Sequence, residues 1–325
     1  MKRTVLQVLK SCQLFALARR LTANMPRILM YHNFARDGAR EPDAVTTAML
    51  RSQFQHLKRH FRVVPLQRLV EQLERGKRLD DSMVVITVDD GRRNCYELFY
   101  PLLKEFGFSA TFYVVSSLIR REDWLWTDKV LWLSEQPARL NELSPEKIGG
   151  LFDDLNRMHP SARNARITSL AASMGHIIPR EAPPKYQPCS WAELREMADS
   201  GLVEIGSHTA THPILASISD AESWTELSLS RTEIEKELGR KVFSFCFPNG
   251  KPGDYRRTQV AQAKNIGYTS AVVTRFDLVG PEADAYELPR IGVGGQTDLL
   301  AFAKYVDGAE HYHAKVRNFN HVRSQ

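Results

Sequence analysis

Short apolar runs alternate along this chain with segments of helical period. The runs, rich in β-branched and aromatic side chains, occupy residues 27–32, 61–64, 84–88 and 110–115. Between the first two runs, residues 46–60 place Leu50, Phe54 and Leu57 on one helical face. Strands that alternate with helices are typical of a parallel α/β sheet. The chain of 325 residues is long enough for one large domain or two small ones.

One of these predicted strands ends in two adjacent carboxylates. Residues 84–88 form an apolar run, and Asp89, Asp90 and Gly91 follow directly. An Asp-Gly pair favours a turn, so turn formation is one explanation. The carboxyl end of a strand in an α/β protein is also where ligands usually lie, and uncompensated charges beside a core are costly. The two carboxylates are therefore candidate functional groups.

A second short strand, predicted at residues 202–205, precedes two histidines that are four residues apart. His208 and His212 offer imidazole nitrogens, and Asp90 offers a carboxylate. Two histidines and one carboxylate are a common ligand set for a divalent metal, with positions left open for water and substrate. The other carboxylate, Asp89, is then free to act as a base.

The net charge of +6 originates at one end of the chain. Residues 1–30 contain six Lys or Arg and no Asp or Glu, so the other 38 basic residues (44 minus 6) match the 38 acidic ones. This distribution argues against a nucleic-acid partner for the body of the protein. Residues 1–24 read as a basic helix, which either lies on an anionic membrane surface or packs against the rest of the fold.

The same segment bears on cellular location. Its apolar stretches are too short and too interrupted for a membrane span. It also lacks the apolar region and small-residue cleavage site of a signal peptide. We therefore expect a cytoplasmic protein, peripheral to the inner face of the cytoplasmic membrane if the basic helix binds lipid.

Residues 120–188 interrupt the strand–helix alternation with helical patterns and three tryptophans. Trp124, Trp126 and Trp132 either line a sugar-binding cleft or form core, and core is the favoured interpretation. We predict that this segment is a helical insertion between two strands of one scaffold.

Five short motifs occur in order along the chain, each near the end of a predicted strand. They read Met30-Tyr31-His32, Thr87-Val88-Asp89-Asp90-Gly91, His208-Thr209-Ala210-Thr211-His212, Phe247-Pro248-Asn249-Gly250 and Leu288-Pro289-Arg290-Ile291. In that order they resemble the L-x-Y-H, TFDDG, H-[ST]-x-x-H, Y-P-x-G and L-P-R-I motifs of the polysaccharide deacetylases, the NodB-like carbohydrate esterase family 4. The first, fourth and fifth motifs resemble the forms found in one branch of that family. Each motif alone is weak evidence, whereas five in sequence between residues 28 and 293 are strong evidence.

This resemblance implies a fold and a domain organisation. The fold is a distorted (β/α) barrel over residues 25–300, with the helical insertion at about residues 120–188. The basic helix of residues 1–24 precedes the barrel, and residues 301–325 form a C-terminal tail.

The resemblance also implies roles for individual residues. Asp90, His208 and His212 become the ligands of one divalent metal ion, with Zn²⁺ expected first and Ni²⁺, Co²⁺ or Fe²⁺ as alternatives. Asp89 becomes the base that takes a proton from metal-bound water. The substrate and oxyanion segment is Phe247, Pro248, Asn249 and Gly250, from which a backbone N–H stabilises the oxyanion.

Two further roles fill gaps in the match. The family's widespread Arg-containing third motif is absent here, and Arg290 is the candidate to pair with the base instead. No clear C-terminal L-x-H motif supplies the general acid, so His32 is nominated for that role.

The implied function is metal-dependent hydrolysis of the N-acetyl group of an amino sugar. The substrate is an N-acetylated saccharide or glycolipid, within a polysaccharide, a lipopolysaccharide or a lipid-linked glycan precursor. One alternative is a deformylase of a lipid-linked formamido sugar. Another is a carbohydrate-binding module that has lost turnover.

Overall fold

The computed structural model describes residues 13–39, 41, 43–76, 79–121, 123–136 and 145–311. Within them, the strands are β1 Arg27–Tyr31, β2 Phe34–Ala35, β3 Val45–Thr46, β4 Arg62–Val63, β5 Met83–Val88, β6 Ala110–Val114, β7 Val203–Ser207, β8 Ser244–Cys246, β9 Ser270–Val272 and β10 Ile291–Gly292. The α-helices are α1 Leu14–Leu21, α2 Thr47–His60, α3 Leu66–Glu74, α4 Tyr100–Phe106, α5 Ser116–Ile119, α6 Trp126–Ser134, α7 Pro145–Arg157, α8 Pro160–Ser173, α9 Trp191–Asp199, α10 Asp220–Leu238, α11 Arg257–Ile266 and α12 Leu299–Val306.

The main sheet is parallel and curls toward a barrel. Its strands pair in the order β10-β1-β5-β6-β7-β8-β9, and β4 pairs with the start of β5. A parallel bridge between Val272 and Leu288 links β9 to the segment that leads into β10. The predicted distorted (β/α) barrel is confirmed. Because the strands are parallel, all their carboxyl ends meet on one side of the molecule.

Side chains alternate between the two faces of the curled sheet. On β5, Val84, Ile86 and Val88 face the surrounding helices and join the main core. Met83 and Val85 face inward, where α3 covers the amino ends of the strands. The inward positions of β6, β7 and β8 are mixed, because Tyr113 and Cys246 join this inner cluster whereas Thr111 and Glu204 are polar. The barrel interior therefore contains polar groups beside its apolar cluster.

The insertion has a core of its own. Its three helices α6, α7 and α8 bury a separate cluster of apolar side chains. Trp124 and Trp126 are almost fully buried, at 2% and 4% exposure. This burial agrees with the core interpretation of these two tryptophans.

The two ends of the described chain differ from the sequence expectations in detail. α1 covers the last part of the predicted basic helix, and residues 1–12 lie outside the described residues. Among the described residues, no helix combines the length and apolar character needed to cross a bilayer. At the other end, α12 crosses residue 300, where the barrel was predicted to stop, and residues 312–325 lie outside the described residues.

The sequence also predicts a last short strand at residues 287–291, and these bounds are wrong. The ladder there is confined to β10, which begins at Ile291. Pro289 lacks the N–H group that a continuous ladder requires, so the segment before Ile291 pairs only through the single bridge at Leu288.

A glycine lets an aromatic ring cross the barrel interior. A Cβ atom on Gly206 would lie 2.5 Å from two ring carbons of Tyr113. We expect Gly206→Ala to lower the free energy of unfolding by about 1–3 kcal/mol, as overpacking usually does. The matched control is Gly149→Ala in α7, where a Cβ meets nothing within 4 Å. That change is expected to raise stability by about 0.5–1 kcal/mol. Urea unfolding of both variants measures the difference, and equal effects would contradict the packing argument.

Candidate active site

The functional candidates gather where the strands end. Asp89 and Asp90 follow β5, His208 follows β7, and His32 follows β1. They line a cleft of about 1080 Å³, walled on one side by the insertion. Parallel pairing places residues that are more than a hundred positions apart in the chain within a few ångströms of each other.

Three buried side chains converge at the bottom of this cleft. The Nε2 atoms of His208 and His212 lie 3.2 Å apart. Asp90 Oδ1 lies 3.7 Å from each of these nitrogens. Nitrogen ligands about 2.0 Å from one tetrahedral ion lie about 3.3 Å apart, so the spacing fits a shared metal ion.

The protonation of the two histidines suits this arrangement. His208 Nδ1 lies 2.8 Å from the backbone carbonyl of Cys246, which makes Nδ1 the donor and leaves the Nε2 lone pair facing Asp90. Burial lowers the pKa of His208, and it lowers the pKa of His212 to about 3. Both imidazoles are therefore neutral at pH 7, as metal ligands must be.

Another set of atoms, from Asp89, His208 and Cys246, also lies close enough to hold an ion. In this set both carboxylate oxygens of Asp89 accept hydrogen bonds from Arg290. Arg290 Nη2 also lies 3.2 Å from Cys246 Sγ, so a cation there would face a guanidinium. Burial raises the pKa of the Cys246 thiol well above its usual value, which disfavours the thiolate. The set formed by Asp90 and the two histidines fits a metal ion better.

Asp89 lies between a buried cation and a half-exposed histidine. Arg290 donates two parallel hydrogen bonds to it, at 2.7 Å and 2.8 Å. His32 Nε2 lies 3.6 Å from Asp89 Oδ2 on the cleft side, and its side chain is 45% exposed. Burial is the largest single influence and opposes ionisation of Asp89, but the surrounding charges, chiefly that of Arg290, and the hydrogen bonds from Arg290 together outweigh it, so the pKa of Asp89 lies well below its usual value. Asp89 is therefore an anion at neutral pH.

Most backbone N–H groups of the segment predicted to hold the oxyanion, residues 247–250, cannot donate to a substrate. The N–H of Phe247 donates to the carbonyl of Val272, and the N–H of Gly250 donates to the carbonyl of Pro248. Pro248 has no N–H. Among the described residues, the backbone N–H of Asn249 has no partner, and Asn249 lines the cleft.

Comparison with known proteins decides the family. The sequence model described as "Polysaccharide deacetylase" matches residues 76–271, which is more than half of the chain. The chain belongs to the polysaccharide deacetylase family. The resemblance to this family is confirmed.

Relatives of this family member are distant in sequence. YxkH of Bacillus subtilis, named after the same family, is 20% identical over 235 residues, which are 72% of this chain and 60% of YxkH. The chain thus spans less than two thirds of that curated relative.

Among solved structures, the Streptococcus pyogenes deacetylase PplD in complex with acetate is 17% identical, with a TM-score of 0.61 over 87% of this chain and 98% of PplD. A de-N-acetylase from Aggregatibacter actinomycetemcomitans is 21% identical, with a TM-score of 0.60 over 86% of this chain and 99% of that one. At these identities the likeness shows the shared fold.

Strained backbone concentrates at the site of this polysaccharide deacetylase. Asp90, Thr209, His212 and Asn249 all have positive φ, between 57° and 73°. A left-handed conformation costs a non-glycine residue about 1–3 kcal/mol and persists where the surrounding structure enforces it. Two of the three side chains in the candidate metal set, those of Asp90 and His212, are thus held by backbone that the fold has fixed at a cost.

Sequence reasoning missed a buried ion pair behind Asp90. Arg92 Nε lies 3.6 Å from Asp90 Oδ2, and Arg92 Nη2 donates to Asp128 Oδ1 at 2.5 Å. Burial raises the pKa of Asp128 to about 6, against the opposing charge of Arg92. Because Arg92 directly follows the Asp-Asp-Gly motif, the sequence could have indicated it as a site residue. Asp128 lies on α6 of the insertion, and no sequence pattern indicates it.

Proposed function

We propose that this protein removes the N-acetyl group from an amino sugar of a glycan, and that it requires a divalent metal ion. The observation that carries the proposal is the convergence of Asp90, His208 and His212 beside the Asp89–Arg290 pair in one cleft. The family membership and the acetate named in the PplD structure support the choice of an acetyl group.

Asp90, His208 and His212 would hold the ion. A divalent ion supplies two things when bound: it lowers the pKa of a water ligand and it polarises an amide carbonyl. Asp89 stays ionised because Arg290 pairs with it, so its Oδ2 is available to accept a proton at the cleft face. Arg290 holds that carboxylate in one orientation through two hydrogen bonds.

The substrate side of the cleft is assembled from two elements. The free N–H of Asn249 is the candidate donor to the oxygen that gains negative charge as the amide carbonyl is attacked. On the opposite wall, Leu131 and Phe152 of the insertion line the cleft and offer apolar surface for a sugar ring. The volume of about 1080 Å³ suits a saccharide of more than one residue.

A direct assay tests this function. The purified protein, reconstituted in turn with Zn²⁺, Co²⁺ and Ni²⁺, is incubated with oligosaccharides of N-acetylglucosamine and with N-formylated counterparts. We expect acetate release that a chelator abolishes and that added metal restores. Formate release alone would favour the deformylase, and metal-independent saccharide binding without turnover would favour the binding module.

His32 is our candidate to protonate the leaving amine. It follows β1 at the cleft, faces Asp89 and is exposed enough to exchange protons with solvent. We expect His32→Ala to lower kcat by about 10²–10⁴-fold, the usual contribution of a general acid, without loss of bound metal. The control is His159→Ala, which removes a histidine of similar exposure, 46%, outside the cleft. Wild-type kcat in His32→Ala would assign the proton to another group.

We also propose that α1 contacts an anionic membrane surface. Phe15 and Ala18 face the protein, whereas Leu14, Leu17 and Leu21 are 42%, 50% and 59% exposed. These leucines lie on one side of the helix, and the first 30 residues of the chain carry no acidic residue.

Replacing Leu14, Leu17 and Leu21 together by serine tests this contact. Each buried leucine contributes about 1.5–3 kcal/mol, so the triple variant should lose most of its co-sedimentation with phosphatidylglycerol vesicles. Ile177→Ser, which removes an isoleucine that is 91% exposed on another part of the surface, is the matched control. Unchanged sedimentation of the triple variant would refute the contact.

A further inference from the structure

The amino ends of the strands enclose a second crevice, on the side of the barrel opposite the active site. It has a volume of about 530 Å³. It lies between the start of α3, at Pro65 and Gln67, and the polar inward positions of β6 and β7. The catalytic proposal makes no use of this crevice.

A carboxylate without an ionic partner lies inside it. Glu204, in β7, accepts a hydrogen bond of 3.3 Å from Ser244 Oγ, and among the described residues it forms no ion pair. Burial raises the pKa of Glu204 to about 7. The basic residues at the mouth are engaged elsewhere, since Arg240 pairs with Asp199 and Lys241 pairs with Glu235.

A second polar atom in the crevice also lacks a partner. Thr111, on the neighbouring strand β6, is 1% exposed, and its Oγ1 atom has no hydrogen-bond partner among the described residues. Thr111 and Glu204 are paired in register across β6 and β7, so their side chains face the same interior. Buried hydroxyl groups are normally satisfied, so Thr111 Oγ1 and the neighbouring carboxylate of Glu204 are two polar groups available to a ligand in the crevice.

The ring of Tyr113 separates this crevice from the active site. It packs over Gly206 in the barrel interior, and the guanidinium of Arg290 lies 6.0 Å from the ring centroid. A ligand in the crevice would therefore not contact Asp89 or the candidate metal set.

We propose that the crevice binds a small organic ammonium compound. The ammonium group would donate hydrogen bonds to Glu204 and to Thr111 Oγ1, which supplies both missing partners. An apolar body would lie against Pro65, Val242 and Phe243, which line the same crevice. The ligand class is thus a primary amine attached to a compact apolar group.

Benzylamine, with benzyl alcohol as its neutral counterpart, tests the proposal by isothermal titration calorimetry on the full chain. We expect benzylamine to bind about tenfold tighter or more, since a hydrogen bond to a charged partner contributes that much. Glu204→Gln should remove the preference for the amine. Phe243→Ala, at a side chain that is 37% exposed, should weaken both probes without disturbing the fold.

Three results would overturn this assignment. They are equal affinity of the wild-type protein for the two probes, no binding of benzylamine, and amine binding that survives Glu204→Gln. Asp153→Asn distinguishes amine binding in the active-site cleft from amine binding in this crevice, because Asp153 lines the cleft and not the crevice. Amine binding that is lost in that variant alone would place the amine in the cleft and would also overturn the proposal.

Discussion

Asp89→Asn is expected to lose turnover by about 10²–10⁴-fold, the usual contribution of a general base, while it keeps its bound metal. The amide has the shape of the carboxylate but accepts no proton. Asp89 is not one of the three side chains that fit the ion best, so metal content should be unchanged. Acetate release and metal analysis of the same preparation measure both quantities.

The variant also tests the buried pair with Arg290. Removing one partner of a buried ion pair typically costs about 3–5 kcal/mol, because the other charge remains buried. Turnover must therefore be assayed well below the unfolding temperature of the variant. Asp153→Asn makes the same chemical change at an exposed carboxylate of the cleft and should keep turnover within a few-fold. Full turnover in Asp89→Asn would show that another group accepts the proton.

Local sequence signals were sufficient for the parts of the site that lie at strand ends. Asp89 and Asp90 follow a run rich in β-branched residues, 84–88, and that run lies within the central strand β5, Met83–Val88, whose six residues are all buried. The Ser-x-x-Glu pattern of Ser190 and Glu193 similarly predicts a helix start from local residues alone, and the structure shows both hydrogen bonds of this capping box at α9. In each case the signal and the structure depend on the same few consecutive residues.

Contacts between distant segments could be predicted only where the family resemblance singled out the residues, and otherwise could not be predicted from the sequence. Arg290 and Asp89 are 201 positions apart, and only the L-P-R-I motif singled out this arginine. Asp128 matches no motif, because its role depends on how the insertion packs against Arg92. The positive φ values at Thr209 and Asn249 depend on tertiary constraints that no residue pattern records.

The errors in the fold have similar physical causes. The sequence also predicts a helix over residues 96–106, but its first part is a wider π-helical turn, Cys95–Phe99. The short strands β2 and β3 were not predicted, because two residues are too few to show the alternation of apolar and polar side chains that marks a strand. The mostly apolar residues 242–247 predict a longer strand, but only Ser244–Cys246, the strand β8, forms ladder pairs.

Asp90→Ala is expected to lose the metal ion, and turnover with it. Loss of a hydrogen-bond partner of a metal ligand already weakens metal affinity by about 10–100-fold, and loss of a direct ligand should exceed that. The substitution also removes the only acidic member of the best-fitting set, which leaves two neutral histidines. Metal content after reconstitution and dialysis, measured by mass spectrometry, gives the result.

Cys246→Ser is the variant that separates the two candidate ligand sets. If Asp90, His208 and His212 hold the ion, this variant should retain metal, because Cys246 contributes only a backbone carbonyl to His208. If Asp89, His208 and Cys246 hold it, the outcome reverses: Cys246→Ser loses metal and Asp90→Ala retains it. Arg290 donates two hydrogen bonds to Asp89, and the pKa of the Cys246 thiol is raised. Both observations favour metal binding by Asp90, His208 and His212. Metal retained in both single variants would mean that the ion is held by neither set.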